Sequence, residues 1–583
     1  MKPGASKEMK ATTIGLNRVV LLWQPEEAGS RLLRRATGGV LPRHGLGVEE
    51  TEGIVISDAP TSPFLDTVPV SLAEVAYEYT LHNSDGVVLA CVFTSPEAWP
   101  EHLLPRLNLP GRSGWVAIYR KAWELTWRRI VTSHMLPSRF AYNDYPDNGV
   151  TYVWDSCFST LFQRYAAPAG AHPCMSTLDD FYAAQTDSGY IPRNLRITDY
   201  VPQWGTERDR PSLTGTNPPL FAWAEWNYYL VSVDVDRLRR VLPRLICHYG
   251  FIEQFMQEKP GYYLWDGDGS GWDNINWGQG KDEIRHWVEL PALQALAARH
   301  ISRIAKALGE TALARRFDAE VEQKGSRMKP YWNDAKSWYC SLTKDGRFTR
   351  KTLSGMWPLI AGIVSEKRAG RIVRETLMNP RCFLTDPTPL PALARDEPGY
   401  NSRGEYWLGA TWINLTLMVI RGLEAYGFKA EAIELAEHTL DAIARVYAEW
   451  DEHPRTLWEC YAPEFPAPAS HKEHSPDRLG SVRPEFGGWT CCLINLLLEN
   501  VLGIRVNAPG NVIVWDMRLA EEHGVEGLRF GDVTTDLHVD ARAGPDATAA
   551  VTVRSARPYT LHITAAERSA QFHVREGESH YEV

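Results

Sequence analysis

No window of the 583 residues approaches the ~20 consecutive apolar residues that a membrane-spanning helix needs. The first twenty, MKPGASKEMKATTIGLNRVV, carry charges but no apolar stretch of signal-peptide length, so a cytoplasmic location is the expectation. Basic runs are scarce as well. The nearest is Arg31-Leu-Leu-Arg34-Arg35, in a chain of formal net charge −10, which argues against a nucleic-acid partner. Nine cysteines include the adjacent Cys491 and Cys492 but no pair of CxxC motifs at zinc-binding spacing, so they read as reduced, small core residues. Nor is there a βαβ alternation or a short solenoid repeat.

What the chain does have is apolar and aromatic mass. Apolar residues make up 44% and charged residues 23%, enough to build a large core. The 22 Trp and 24 Tyr have two readings. They fill that core, or some of them present flat rings to the apolar C–H faces of sugars.

Three regions follow from pattern. Residues 1–112 read as a small N-terminal β region, with strands at 19–23, 76–83 and 86–93 and a hairpin turn at Asn83-Ser-Asp-Gly86. Residues 113–504 read as helical, with apolar periodicity in the segment from 114 and in 153–166, 177–186, 219–230, 234–257, 283–308, 310–324, 356–377, 408–426, 428–449 and 486–502. Residues 505–583 turn β again, with short alternating runs at 512–515, 533–540, 549–555, 559–565 and 569–577 that suit a sandwich-like cap.

Four inter-helix stretches concentrate polar and aromatic residues, where binding and catalysis are expected. In Tyr152-Val-Trp-Asp-Ser-Cys-Phe158, Asp155 is placed either to cap a helix or, with Trp154, to hold sugar hydroxyls; Arg193 downstream offers a rigid guanidinium donor. The run Trp265–Trp277 packs three Asp, three Gly and three Trp into thirteen residues. Asp266, Asp268, Ser270 and Gly271 open like an EF-hand loop, but Trp277 stands where the bidentate Glu belongs. A structural calcium ion is therefore not predicted, and no cofactor is required. The alternative is a catalytic carboxylate between aromatic walls, with Asp273, flanked by Trp272 and Asn274, as the candidate. In Asn401–Asn414, Trp407 is expected to line the pocket and Trp412 to open an apolar helix. In the fourth stretch Glu459 follows Trp458 outside any amphipathic charge pattern, ahead of a polar loop and Arg483–Thr490.

Taken in order, WDSCF (154–158), GSGWDN (269–274), ELPALQAL (289–296), GMWPLIAGI (355–363), YWLGATWINLTLMVIRGLEAYG (406–427), LWECYAP (457–463) and FGGWT (486–490) resemble the clan of (α/α)6 glycoside hydrolases. That clan includes family 63 α-glucosidases, mannosylglycerate hydrolase-like enzymes and trehalases. The resemblance spans roughly residues 115–505. It implies a mainly α fold, an (α/α)6 six-hairpin toroid between the two β regions, and hydrolysis of a glycosidic bond by inversion. It makes Asp273 the general acid and Glu459 the general base, about 6.5–9.5 Å apart. Substrate contacts are implied for Trp154, Asp155, Arg193, Trp272, Asn274, Trp407, Trp412, Tyr461 and Trp489. Two features depart from the pattern. The Asp-Gly run before Ser270 has no counterpart, and Cys460 stands where Asn is more usual. The loop 465–482, with His471 and His474, is expected to shape the leaving-group side.

The expected partner is thus a carbohydrate, exo-cleaved as an α-linked hexoside, with homo-oligomerisation left open. Other classes compete: a retaining glycosidase, with carboxylates about 5–5.5 Å apart; a polysaccharide lyase or sugar epimerase on a related toroid, whose candidate bases His286, His471 and His474 sit in no paired motif; and a non-catalytic sugar-binding protein, which would not need both carboxylates.

Overall fold

The computed structural model describes residues 103–583, apart from 134, 145–148, 167–172, 204–205 and 472–481, together with N-terminal segments 9–14, 18–23, 31–37, 53–61, 64–68 and 76–94. His474 lies outside the described residues.

The helices come in two kinds, and composition separates them. Phe221–Ser232 (FAWAEWNYYLVS) and Ile413–Ala425 (INLTLMVIRGLEA) are apolar on nearly every side, as a helix enclosed by others must be. Val235–Phe255 and Lys429–Glu449 are amphipathic, with charged outer faces. Contacts among the first kind run in a closed circuit. Val153–Gln163 packs on Phe221–Ser232, which packs on Glu289–Ala307, then Trp357–Ile360, Ile413–Ala425 and Trp489–Asn495, and the last returns to Val153–Gln163. The amphipathic helices lie against this circuit: Val235–Phe255 on its second and third members, Thr311–Ser326 on its third, Lys429–Glu449 on its fifth and Ser113–Arg128 on its last. Buried Glu225 joins the two kinds, receiving two hydrogen bonds from Arg237 (2.7 and 2.8 Å) and one from the Tyr182 hydroxyl (3.0 Å). Among the described residues no helix is long and apolar enough to cross a membrane.

Several helix starts fall later than periodicity suggests, because tertiary pairing captures the backbone first. The helix expected from 283 begins at Glu289: His286 pairs with Leu342 and Trp287 donates to the Tyr263 carbonyl, which holds that stretch extended. The helix expected from 408 begins at Ile413, since Thr411 bridges both Pro391 and Tyr461. Residues 356–377 split into Trp357–Ile360 and a second helix from Glu366.

Sheets stand at both ends of the sequence. Strands Lys10–Ile14, Arg18–Leu22 and Phe64–Thr67 form one sheet, and Arg31–Thr37, Ile54–Ser57, Ala76–His82 and Val88–Phe93 another, with their own apolar core around Val19, Leu32, Tyr77 and Tyr79. The basic run near Arg34 is engaged in ion pairs: Arg34 is buried on Asp66, which also accepts from the Tyr79 hydroxyl, and the exposed Arg31 and Arg35 pair with Asp58 and Glu78. The C-terminal region supplies four strands to each of two sheets. Arg106–Asn108, within the N-terminal β region drawn from sequence, covers an edge of the second by pairing with Gly524–Glu526.

Two fully enclosed histidines carry a pH consequence. Burial pushes His248 down to about 4 and His300 to about 3, each holding a backbone carbonyl from Nδ1. The unfolded chain takes up these protons below about 6.5, so their neutral forms stabilise the fold above that pH and lose this contribution as pH falls toward 4. The melting-temperature advantage of the wild type over His248→Asn should therefore shrink steadily between pH 6.5 and 4 in thermal denaturation scans.

Candidate active site

Each candidate side chain lies at, or in the loop leading into, the N-terminus of a helix in the closed circuit, so one end of the circuit gathers them. Strand Val150–Tyr152 pairs with Asn194–Arg196 and runs directly into Val153–Gln163. The cap position of that helix is Tyr152 and no side chain caps it, so Asp155 is not the cap; it stands in the first turn. Its carboxyl is held well above the ordinary carboxylate range by burial, by a hydrogen bond and charge from Asp144, and by the charge of Glu459. Asp144, absent from the sequence-based candidates, is buried beside it, with its carbonyl taking the Gly487 N–H at 2.7 Å.

The Asp-Gly run builds a turn. Asp266 accepts the Gly269 N–H at 2.6 Å and the Thr214 hydroxyl, capping the single turn Gly267–Ser270. Gly271 follows with φ +83°, and a Cβ there would run into the Trp154 ring. This delivers Trp272, Asp273 and Asn274. Asp273 is half-buried. Trp272 is buried, with its indole N–H toward Glu289, whose carboxyl burial drives far above its usual range.

Glu459 is 1% exposed. Its Oε1 accepts from the Tyr406 hydroxyl at 2.8 Å and from Arg483 at 3.0 Å, while Oε2 has no hydrogen-bond partner among the described residues. Its backbone is pinned as well: the N–H donates to the Arg483 carbonyl, and the carbonyl accepts from the Trp489 indole (both 3.0 Å). Burial and the charges of Glu459 and Asp273 together drive the Tyr406 hydroxyl well above its ordinary range. Both carboxylates thus act on one phenol. Tyr406 and Arg483 were not singled out from sequence; the signal was their place inside the quoted motifs, at 406–427 and just ahead of FGGWT.

The tryptophans form a packed column. Trp407 and Trp412 stack at 3.9 Å and 6°, Trp154 lies at 5.6 Å and 18° from Trp407, and Trp272 at 4.7 Å from it. Trp489 contacts both Trp412 and Trp154. Trp407 is only 1% exposed, so its neighbours, rather than open pocket, take its faces. Asn274 spends both amide atoms on the backbone of residues 405–407, and the Tyr461 hydroxyl accepts the Trp458 N–H at 3.2 Å. These two support the loops that carry the site. Arg193 is 7% exposed and makes no side-chain hydrogen bond or ion pair among the described residues.

Residues 150–475, more than half of the chain, match the mannosylglycerate hydrolase MGH1-like glycoside hydrolase domain. The chain belongs to the MGH1-like glycoside hydrolase family. It is a glycoside hydrolase of the family 63 and trehalase-like group. An uncharacterised protein of Borreliella burgdorferi is 25% identical over 427 residues, covering 71% of this chain and 85% of the relative. A mannosylglycerate hydrolase of Rubrobacter radiotolerans is 26% identical over 161 residues, 27% of this chain and 35% of that protein. The crystal structure of the family 63 mannosylglycerate hydrolase of Thermus thermophilus in complex with Tris shares the fold at TM-score 0.50 and 18% identity, over 65% of this chain and 99% of that one.

The contact between the Asp-Gly loop and Trp154 is testable by stability. Gly271→Ala combines a left-handed φ with a clash against a packed ring, and should cost about 1–3 kcal/mol. A chemical denaturation curve should show the midpoint lowered at unchanged slope.

Proposed function

We propose that this MGH1-like enzyme is an exo-acting, inverting α-hexosidase, that its helical circuit is the inner ring of an (α/α)6 toroid, and that Asp273 and Glu459 are its acid and base. The closed sequence of helix contacts supports the toroid. The observation that carries the chemistry is Glu459 with one oxygen fixed by Tyr406 and Arg483 and the other unpartnered among the described residues, within a group of carboxyls that includes Asp273. A carboxylate so held is set to take a proton from a water bound at Oε2.

In this reading Asp273 protonates the departing glycosidic oxygen while Glu459 deprotonates water as it attacks the anomeric carbon from the opposite face. Inversion requires a separation of about 6.5–9.5 Å between the two, which leaves room for that water. Asp155, paired with Asp144, holds a hydroxyl of the cleaved sugar. The names of the relatives put mannosylglycerate first among substrates to try. Arg193 favours an acidic aglycone, because a buried guanidinium with no counter-charge among the described residues is matched by a carboxylate on the ligand.

Mannosylglycerate and a panel of α-hexosides, incubated with wild type, Asp273→Asn and Glu459→Gln, test this by NMR of the first product anomer. The expected outcome is an inverted anomer and a loss of about 10²–10⁴-fold in kcat/KM in both variants. Full activity in either variant would remove it from the mechanism, and a retained anomer would displace Glu459 as base. Arg193→Gln should raise KM for an acidic glycoside more than for its neutral amide, in steady-state kinetics on the pair.

A further inference from the structure

Residues 405–407 are the strained point of the site. Glu405 and Tyr406 both take left-handed φ, 38° and 60°, which two consecutive side-chain-bearing residues adopt only when their surroundings impose it. The imposing groups come from two other loops. The Asn274 side chain brackets the turn: Nδ2 donates to the Glu405 carbonyl at 2.9 Å and Oδ1 accepts the Trp407 N–H at 3.0 Å. From the far side Ser470 takes the Glu405 N–H on Oγ at 2.9 Å and the Tyr406 N–H on its carbonyl at 3.1 Å. The outcome of this strain is the direction of one side chain, since Tyr406 leaves the turn to donate to Glu459 Oε1.

We infer that Asn274 is a positioning residue that couples the acid loop to the base: through the backbone of 405–407 it aims Tyr406 at Glu459, and so sets where the base stands relative to Asp273, its own chain neighbour. The inference rests on the assignment of Asp273 and Glu459 above. Its chemistry is specific to an amide. Aspartate at 274 would still accept from Trp407, but would set an anionic oxygen against the Glu405 carbonyl where a donor is needed.

The test has a structural and a kinetic arm. A crystal structure of full-length Asn274→Asp should show the turn relaxed and the Tyr406 hydroxyl beyond hydrogen-bond reach of Glu459; an unchanged contact overturns the inference without any substrate. In kinetics with mannosylglycerate, or the α-hexoside cleaved fastest in the panel, Asn274→Asp should lower kcat by about 100-fold, the scale of a small misplacement of a reacting group, with little change in KM. Tyr406→Phe should also lower kcat, and because the two act in series the double variant should be no worse than the poorer single. Glu405→Gly, which removes the cost of the left-handed backbone, should restore part of kcat to Asn274→Asp. Effects that multiply, or a loss confined to KM or to melting temperature, overturn the coupling. If Asn274→Asp does not fold, Asn274→Ser takes its place in both arms. An active Glu459→Gln would instead refute the underlying assignment, which separates the two failures.

Discussion

The buried ion pair between Arg164 and Glu499, 2.8 Å long, joins the C-cap of the first helix of the closed circuit to the π-helical turn Leu496–Val501 that continues the last, across 335 residues of sequence. Arg421, from the fifth helix, adds a second bond at 2.9 Å, and Tyr165 and Asn495 complete the shell. Three guanidiniums, counting Arg505, hold the Glu499 carboxyl far below its ordinary range in spite of its burial. Removing one member of such a cluster leaves charges enclosed without partners, which costs far more than the net worth of the bonds. The first, fifth and last members of the circuit thus meet at one buried charge cluster. The loops that enter the helices of this circuit form the rim that carries the candidate residues.

At that rim the same economy of burial decides which residues remain available for chemistry. Indoles that look like sugar platforms in the sequence are mostly in contact with one another, because large flat rings at converging helix starts gain more from mutual stacking than from an open face. Amide and phenol groups of Asn274 and Tyr461 are drawn into holding backbone, since loops entering buried helices carry N–H and C=O groups that must be paired. What is left over among the described residues is chemically distinctive: an unpartnered oxygen on Glu459 and a guanidinium at Arg193 with no counter-charge, beside the Asp144–Asp155 carboxyl pair.

Local pattern reached a good part of this. The long amphipathic helices, such as Lys429–Glu449, are legible because packing a stripe on a core imposes a period on the sequence itself. Strands with clean alternation, such as Tyr559–Ala565, are legible for the same reason. His523–Phe530 escapes because Gly524, Gly527 and a register shift interrupt its alternation, and Gly577–Glu582 because it is polar throughout. Helix starts at 289 and 413 escape because bridges to distant segments, not local propensity, hold the preceding residues extended.

By itself, the sequence determined the order β, α, β, the membership of a hydrolase family and the short motifs that carry Asp273 and Glu459, since each is written within a few consecutive residues. Only the tertiary structure decided that Tyr406 and Arg483 grip Glu459 from 53 and 24 residues away, that Asp144 lies on Asp155, and that Asn274 faces backbone rather than ligand. These are contacts between loops from different helices of a ring. Their partners follow no period along the chain, and meet only once the ring has closed.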